Sequence, residues 1–329
     1  MSETGNIEKL AKIVSKDIFK WFKWNTCLPK DEDWGCESDH HSKRTHPSDV
    51  VFYYNDPYSG DTKYLNTDLK SYAAGSITKS SLTKALKSLA MSVECANISD
   101  SWQSKFLLDD VGFGDVSGML FIYNHDNAYD KDFHGEFEKV DFKEIPVADN
   151  NELVVMGPDL IQRLCDVVSD MKMLRSDDGN ILFPNPKDYT FFYPDLIRAR
   201  RCGDEWNKPA TIEVLTSPWL IIKHRSGEEF KSGFVIYYHE SGETVDEFIY
   251  LIDAMSHYQM FSGDYSIRVR FTKASNTANT SFEKAKHEYL KMWGNDEGRK
   301  KQMANIEVER ITNFTKSYNP MEIGMRDDG

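Results

Sequence analysis

The alternation of apolar and polar positions divides the first half of the chain into helices and strands. Apolar side chains recur at helical spacing over residues 5–24 and again after Thr78, whereas the runs around Phe52 and Leu120 have the continuous pattern of strands. The predicted order is a helix over 5–24, a β-hairpin over 50–72, a helix capped by Ser76 or Thr78 and running to about 96, a strand over 116–123, a strand over 152–156 and a helix beginning at 158. Residues 25–46 are polar and contain Pro29 and Gly35, so we expect a loop there.

The second half of the chain predicts a further, smaller α+β domain. Strand-like runs occupy 189–193, 219–224, 233–239 and 265–272, and an amphipathic helix runs from Thr244 to about Phe261. The fold class is therefore α/β (α+β). We divide the chain into a first domain over 1–175, a linker over 176–188, an α+β domain over 189–275 for which a ferredoxin-like arrangement is one option, and a basic helical segment over 276–329.

The hairpin is expected to bring charged residues together at its base. If the chain folds back at the bond between Tyr58 and Ser59, position 49 lies opposite position 68, so that Asp49 faces Asp68. Lys70 shares a strand face with Asp68 because side chains alternate along a strand. Two carboxylates about 5 Å apart repel by about 3 kcal/mol at an effective dielectric constant of about 20. A divalent cation between them would turn this repulsion into ligation.

These residues resemble a known nuclease signature. Ser48-Asp49, the hairpin and Asp68-Leu69-Lys70 are similar to the PD-(D/E)xK motif of restriction-endonuclease-like nucleases, although Ser48 here separates Pro47 from the aspartate. The resemblance implies a restriction-endonuclease-like core in which Asp49 and Asp68 bind Mg²⁺ or Mn²⁺. It also implies that Lys70 assists the attacking water.

In the resembled family an acidic residue of the first helix often joins the metal site. Glu8 is the best-placed residue for this role in the present chain, and Asp17 is the second choice. A solvated charge on the polar face of the helix is the alternative interpretation of either residue.

The resemblance implies a metal-dependent nuclease that hydrolyses phosphodiester bonds, with DNA favoured over RNA as the substrate. By analogy, an acidic nuclease without a recognisable sequence-reading module resembles effectors of bacterial antiphage defence, so we expect a protein partner or a second copy of the chain. One alternative is a noncatalytic nuclease-like subunit that binds DNA ends or a partner protein. Another is an ordinary surface hairpin in which Asp68 and Lys70 form a weak exposed pair.

The charge of the chain restricts any nucleic-acid contact to local surfaces. Its net charge is −13, from 40 basic and 53 acidic residues, which argues against nonspecific coating of nucleic acid. The candidates for phosphate contact are Lys79, Lys84 and Lys87 on the predicted helix after the hairpin, and Arg268 and Arg270 on one face of a strand. Solvated faces and surface salt bridges are the alternatives for these residues.

The five cysteines of the chain are scattered and share no CxxC spacing, which suits reduced thiols. Zinc prefers the sulfur and imidazole ligands that one polar segment offers, at Cys27, Cys36, His40, His41 and His46. The separation of the two cysteines does not match a short zinc knuckle, so we interpret this set as a coincidental cluster in a loop. A zinc-binding regulatory protein is a third alternative for the function.

The location of the protein is predicted from two missing signals. The sequence contains no run of about 18 apolar residues. Its first residues, MSETGNIEKL, lack the basic and apolar regions of a signal peptide. We therefore expect a cytoplasmic protein with no membrane partner.

Overall fold

The chain forms two compact units that divide within one helix. The computed structural model describes residues 3–41, 43–108, 114–149, 151–176, 181–194, 205–294 and 296–312, without the side chains of residues 3–8 and 176. The first unit covers the described residues up to Gln162, and the second begins at Arg163. Parts of the predicted linker and C-terminal segment, at 177–180, 295 and 313–329, lie outside the described residues. The predicted domain boundaries stay predictions.

The first unit is a mixed sheet with helices. Its described helices are α1 (Glu3–Trp21), α2 (Lys79–Ala96), α3 (Asp100–Phe106) and α4 (Phe133–Phe137), followed by α5 (Pro158–Ser176), which continues into the second unit. Its strands are β1 (Asn25–Thr26), β2 (Glu32–Gly35), β3 (Thr45–Ser48), β4 (Val50–Asn55), β5 (Thr62–Tyr72), β6 (Val116–Asn124) and β7 (Leu153–Met156). The main sheet has the order β1-β4-β5-β6-β7, and β2 pairs with β3 in a separate ribbon.

Strand β6 lies inside this unit, and every one of its residues is buried. Successive side chains of a strand point to opposite faces, so the apolar run of β6 serves two layers. On one face Phe121 contacts Phe19 of α1, with ring centroids 5.9 Å apart. On the other, Leu120 and Ile122 join the apolar cluster formed by α2. The sheet is therefore covered by α1 and α2 on its two faces.

The hairpin of β4 and β5 has the predicted register. Val50 pairs with Thr67 and Asn55 pairs with Thr62 in an antiparallel ladder. The turn is stabilised by Asp56, whose carboxylate accepts a hydrogen bond from the backbone N–H of Tyr58 at 2.7 Å. One step beyond the first of these pairs lie positions 49 and 68, at the base of the hairpin.

The predicted loop over 25–46 is wrong in part, because it contains β1, β2 and the start of β3. Strand β1 is only two residues long and pairs with β4, so it leaves too short a pattern to recognise. Strand β2 has the sequence EDWG, and its single buried side chain is Trp34. Strands this short and polar are defined by their partners rather than by their own periodicity.

Helix α2 follows the hairpin as predicted. Thr78 is its N-cap, and the Thr78 and Ser81 side chains form a reciprocal capping box with the backbone at each other's position. Leu82, Leu86 and Leu89 pack into the core on its apolar face. The apolar stripe, visible in the sequence, specifies which face this helix buries, and of the two caps that the sequence offered, Ser76 and Thr78, the structure has Thr78.

The second unit holds another mixed sheet. Its strands are β8 (Tyr189–Phe191), β9 (Trp219–His224), β10 (Gly233–Tyr238), β11 (Ser266–Phe271) and β12 (Ile306–Arg310), and its helices after α5 are α6 (Ile212–Thr216), α7 (Val245–His257), α8 (Ala278–Met292) and α9 (Glu297–Ala304). The strand order is β12-β11-β10-β9-β8. Strands β8, β9 and β10 are antiparallel, whereas β10, β11 and β12 are parallel.

This topology differs from two expectations. A ferredoxin-like sheet is antiparallel, whereas β10, β11 and β12 are parallel here and helices connect them. Residues 306–310 were expected to be helical but form β12, because Asn305 ends α9 and the following β-branched residues pair with β11. The fold class itself is confirmed: the chain is an α/β (α+β) protein, and its first unit is consistent with a restriction-endonuclease-like core. Among the described residues, no helix has the length and apolar character needed to cross a membrane.

Candidate active site

Asp49 lies between β3 and β4, at the base of the hairpin. Its side chain is partly buried, and its Oδ2 accepts a hydrogen bond from the backbone N–H of Leu69 at 2.7 Å. This bond anchors the carboxylate to β5 at the residue between Asp68 and Lys70. The backbone carbonyl of Asp49 also accepts a hydrogen bond from the N–H of Asp31 at 3.1 Å. Asp49 is therefore positioned from both sides by main-chain contacts.

Asp68 and Lys70 occupy one face of β5, as their spacing predicts. Lys70 Nζ lies 2.5 Å from Asp68 Oδ1, and the two side chains are 31% and 19% exposed. Burial favours the neutral amine, but the Asp68 carboxylate outweighs it, so the pKa of Lys70 is raised above its ordinary value. Lys70 thus remains a cation within reach of solvent.

The electrostatics around Asp49 fit a hard divalent cation. Burial, followed by the nearby charge of Asp68, raises the pKa of Asp49 to about 6, against the opposing effects of the Leu69 N–H and Lys70. Two carboxylates that repel each other in a partly buried site are stabilised when a cation binds between them. Mg²⁺ commonly takes one or two protein carboxylates and keeps several water ligands. Asp49 and Asp68 are therefore the residues that would hold Mg²⁺ or Mn²⁺.

Two other residues that the sequence did not single out lie close to this site. The charge of Lys12, on α1, acts on Asp49, and Lys12 Nζ itself contacts Asp31 Oδ1 at 2.5 Å. The pKa of Tyr72, two residues after Lys70 on β5, is raised by burial, although Lys70 opposes the shift. The common strand face of Asp68, Lys70 and Tyr72 was a signal for the tyrosine. No local signal identified Lys12, because tertiary packing of α1 places it there.

The remaining predicted residues of the first unit have different environments. Glu8 lies in α1, and its side chain is outside the described part of the structure, whereas Asp17 on the same helix is exposed. Lys79 and Lys84 are exposed on α2. Lys87 is partly buried and contacts Glu144 at 2.8 Å. Their roles in metal or phosphate binding stay predictions.

Arg268 and Arg270 lie on β11 of the second unit, where both side chains are only 9% exposed. Arg270 makes a bidentate pair with Asp170 of α5, with Nη2 at 2.5 Å from Oδ1 and Nε at 3.1 Å from Oδ2. Arg268 donates to the Leu182 carbonyl at 2.6 Å. We expected both arginines at a surface, but the strand face that carries them is covered. Their guanidinium groups are satisfied within the fold, so the structure gives no support to phosphate contacts from these two residues.

The unit that carries Asp49, Asp68 and Lys70 matches a known protein family. Residues 1–160 match the family model described as "GAPS4 protein PD-(D/E)XK nuclease domain". The N-terminal half of this chain belongs to the PD-(D/E)xK nuclease superfamily. The search of curated proteins finds no match.

Membership of the PD-(D/E)xK superfamily agrees with the local geometry. The matched residues contain the hairpin, both aspartates and Lys70, and the hairpin has the register expected from its turn. The chain therefore contains a nuclease domain, and the members of this superfamily generally use divalent metals and act on nucleic acid.

Proposed function

We propose that the protein is a metal-dependent nuclease that hydrolyses phosphodiester bonds in DNA, with Asp49, Asp68 and Lys70 as its catalytic residues. The observation that carries this proposal is their arrangement at the base of one hairpin: Asp49 bonded to the Leu69 backbone, and Lys70 in contact with Asp68. This arrangement lies inside the domain that matches a nuclease family.

Each residue has a role that follows from its surroundings. Asp49 and Asp68 would hold Mg²⁺ or Mn²⁺, and the bound ion would supply Lewis-acid stabilisation of the scissile phosphate and a more acidic water. Lys70 keeps its proton because Asp68 raises its pKa, so it can orient the attacking water and offset the negative charge that develops on the phosphate. Lys12 adds a second positive charge near Asp49.

The substrate is proposed to be DNA bound through a local basic surface. Lys79 and Lys84 are exposed on α2, directly after the strand that carries Asp68 and Lys70. The net charge of −13 disfavours a large nonspecific footprint. We therefore propose that a protein partner, or a second copy of the chain, completes the grip on DNA.

The test is cleavage by the purified full-length protein of linear DNA, circular DNA and RNA, each with Mg²⁺, Mn²⁺ or no added divalent cation. We expect cation-dependent cutting of DNA and slower cutting of RNA. Cutting of circular DNA would identify an endonuclease. Cutting of RNA alone would overturn the proposed substrate.

The same assay separates the proposal from its rival, a noncatalytic subunit that binds DNA ends or another protein. Absence of cutting by the protein, alone and together with whatever copurifies with it, would contradict the nuclease. Unchanged DNA binding by Asp68→Asn in such a protein would then support the binding subunit.

We further propose that the nuclease acts in antiphage defence. The support is analogy with acidic nucleases that depend on partners. Phage should form fewer plaques on cells that carry the wild-type protein, together with any protein that copurifies with it, than on matched cells that carry Asp68→Asn. Equal plaque numbers would contradict this role.

A further inference from the structure

A second cluster of chemically active side chains lies outside the hairpin site. Cys36 directly follows β2, His41 lies in the connection to β3, His46 belongs to β3, and Cys95 lies near the end of α2. One ligand atom from each residue falls within 4.8 Å of the corresponding atoms of the other three. The fold thus gathers two sulfur and two imidazole donors from three elements.

The distances among Cys36, His41 and Cys95 match tetrahedral coordination, and His46 lies within 4.8 Å of all three. Zinc bonds of about 2.3 Å to sulfur and about 2.0–2.1 Å to nitrogen require ligand atoms about 3.8 Å apart for two sulfurs and about 3.6 Å apart for sulfur and nitrogen. Cys36 Sγ lies 3.7 Å from Cys95 Sγ and 3.5 Å from His41 Nδ1. Cys95 Sγ lies 3.3 Å from the same nitrogen. Both cysteines are free thiols and not a disulfide.

The surroundings of His41 and His46 favour metal binding in different ways. His41 directs Nδ1 toward the sulfurs, and its Nε2 lies 3.3 Å from Glu94 Oε2. A carboxylate on the far nitrogen is the usual support of a metal-bound histidine. His46 is fully buried, and neither of its ring nitrogens has a hydrogen-bond partner within the described structure. A buried polar group without a partner is costly, and coordination by one nitrogen would satisfy it.

We propose that Cys36, His41, His46 and Cys95 bind one structural zinc ion. Four protein ligands close the coordination sphere and leave no position for a substrate, which distinguishes a structural site from a catalytic one. Thiolate and imidazole donors select zinc over Mg²⁺, which prefers oxygen. Cys27 and His40, which the sequence suggested as ligands, are not members of the cluster, and Cys95 was missed because it lies 59 residues from Cys36.

The proposed zinc site joins the short β2–β3 ribbon to α2. Zinc ligation would therefore stabilise these two polar strands. His46 is three residues before Asp49, and Ser48, between them, accepts a hydrogen bond from Trp34 Nε1 at 2.9 Å. Ser48 in turn donates to Asn66 of β5. Zinc would therefore fix the segment that leads into Asp49. The zinc proposal itself does not depend on the nuclease proposal.

The test is the metal content of the full-length protein, purified without chelators or a polyhistidine tag. We expect about one zinc per chain in the wild type. Cys36→Ser and Cys95→Ser should each lower it at least tenfold, whereas the matched variants Cys27→Ser and His40→Gln should retain it. Absence of zinc from protein folded in zinc-supplemented medium would overturn the proposal, as would equal loss in Cys27→Ser.

Two measurements on the wild type keep the test independent of variants that fail to fold. A mercurial thiol reagent should release the zinc in step with two thiols, and replacement by Co²⁺ should give the visible spectrum of a tetrahedral site with thiolate ligands. Release of zinc that does not follow thiol modification, or the spectrum of an octahedral Co²⁺ site, would contradict the assignment.

EDTA would act on this zinc as well as on a catalytic metal, so cleavage assays should omit divalent cations rather than chelate them.

Discussion

At Asp49, burial and a neighbouring carboxylate act in the same direction. Both favour the protonated carboxyl and together raise its pKa from 3.8 to about 6. A group whose folded pKa lies above its unfolded value contributes stability below the unfolded pKa and loses this contribution as the pH rises through the folded pKa. Ionised Asp49 therefore destabilises the fold near neutral pH unless a cation is bound.

The first prediction concerns Asp49→Asn, which keeps the shape of the side chain and removes its charge. Without divalent cations at pH 8, the variant should be more stable than wild type by about 1–3 kcal/mol, because the cost of ionising Asp49 is gone. The gain should shrink as the pH falls through 6 and vanish near pH 4. Urea denaturation at several pH values measures it. The control is Asp264→Asn, at an exposed position. A gain in stability that does not depend on pH, or a variant less stable than wild type, would contradict this account.

Individual residues were predictable from sequence where local geometry alone brings them together. The turn fixes the hairpin register, so Asp49, Asp68 and Lys70 could be placed from the order of residues in the chain. The zinc ligand Cys95 could not, because only the packing of α2 brings it to the β2–β3 ribbon. The environment of Arg270 was likewise hidden, since its partner Asp170 lies 100 residues away.

At the scale of elements, α2 supports the active-site strand through close packing with β6. Gly118 of β6 marks the closest approach: a Cβ atom there would lie 2.7 Å from Val93 Cγ2 on α2 and 2.6 Å from Leu153 Cδ2 on β7. Contacts this short force neighbouring side chains to move. Glycine at 118 thus lets helix and sheet meet beside the strand that carries Asp68.

The second prediction is that Gly118→Ala destabilises the protein by about 1–3 kcal/mol, through overpacking of this interface. Gly75→Ala is the matched control, because a Cβ atom at Gly75 meets nothing within 4 Å. Thermal and urea unfolding measure the difference. Equal stability of the two variants would show that α2 and β6 can separate without cost, contrary to the packing described.

The long periodic elements were predicted well, as were the short apolar strands β7 and β8, whereas the short polar strands β1 and β2 were not. Helix α2 and strand β6 carry continuous apolar patterns, and the start of α2 was predicted to within the choice between Ser76 and Thr78. Strands β1 and β2 have two and four residues, NT and EDWG, which are too few and too polar to form a recognisable strand pattern. Strand β12 was mistaken for helix because its five residues were taken as the continuation of a longer helical pattern, whereas pairing with β11 places them in the sheet.

At the scale of the whole molecule, a net charge of −13 surrounds a site for a polyanionic substrate. We therefore expect the proposed DNA binding to depend on a few basic residues near the hairpin, with repulsion by the rest of the surface limiting the footprint. The parallel pairing of β10, β11 and β12 also belongs to this scale, because strand order is set by contacts between distant segments and not by periodicity.

The third prediction is a modest salt dependence of DNA binding. For Asp68→Asn, the slope of log Kobs against log salt concentration should lie between about −2 and −5, corresponding to a few phosphate contacts. Adding Lys79→Ala and Lys84→Ala should reduce the slope, whereas Lys231→Ala in the second unit should not. Fluorescence anisotropy measures all three proteins. A slope near zero, or one steeper than about −8, would contradict a small local footprint.

The most direct test of the central claim is the Mg²⁺-dependent rate of DNA cleavage by wild type, Asp68→Asn and Lys70→Met, with correct folding checked by circular dichroism. Both variants should be slower by at least about 100-fold, because Asp68→Asn removes a carboxylate that would hold the metal ion and Lys70→Met removes the cation that offsets charge at the phosphate. The control variants Asp264→Asn and Lys231→Met change an exposed ion pair of the same type and should stay within about twofold of wild type. Cleavage at the wild-type rate by Asp68→Asn or Lys70→Met would show that the hairpin is not the active site.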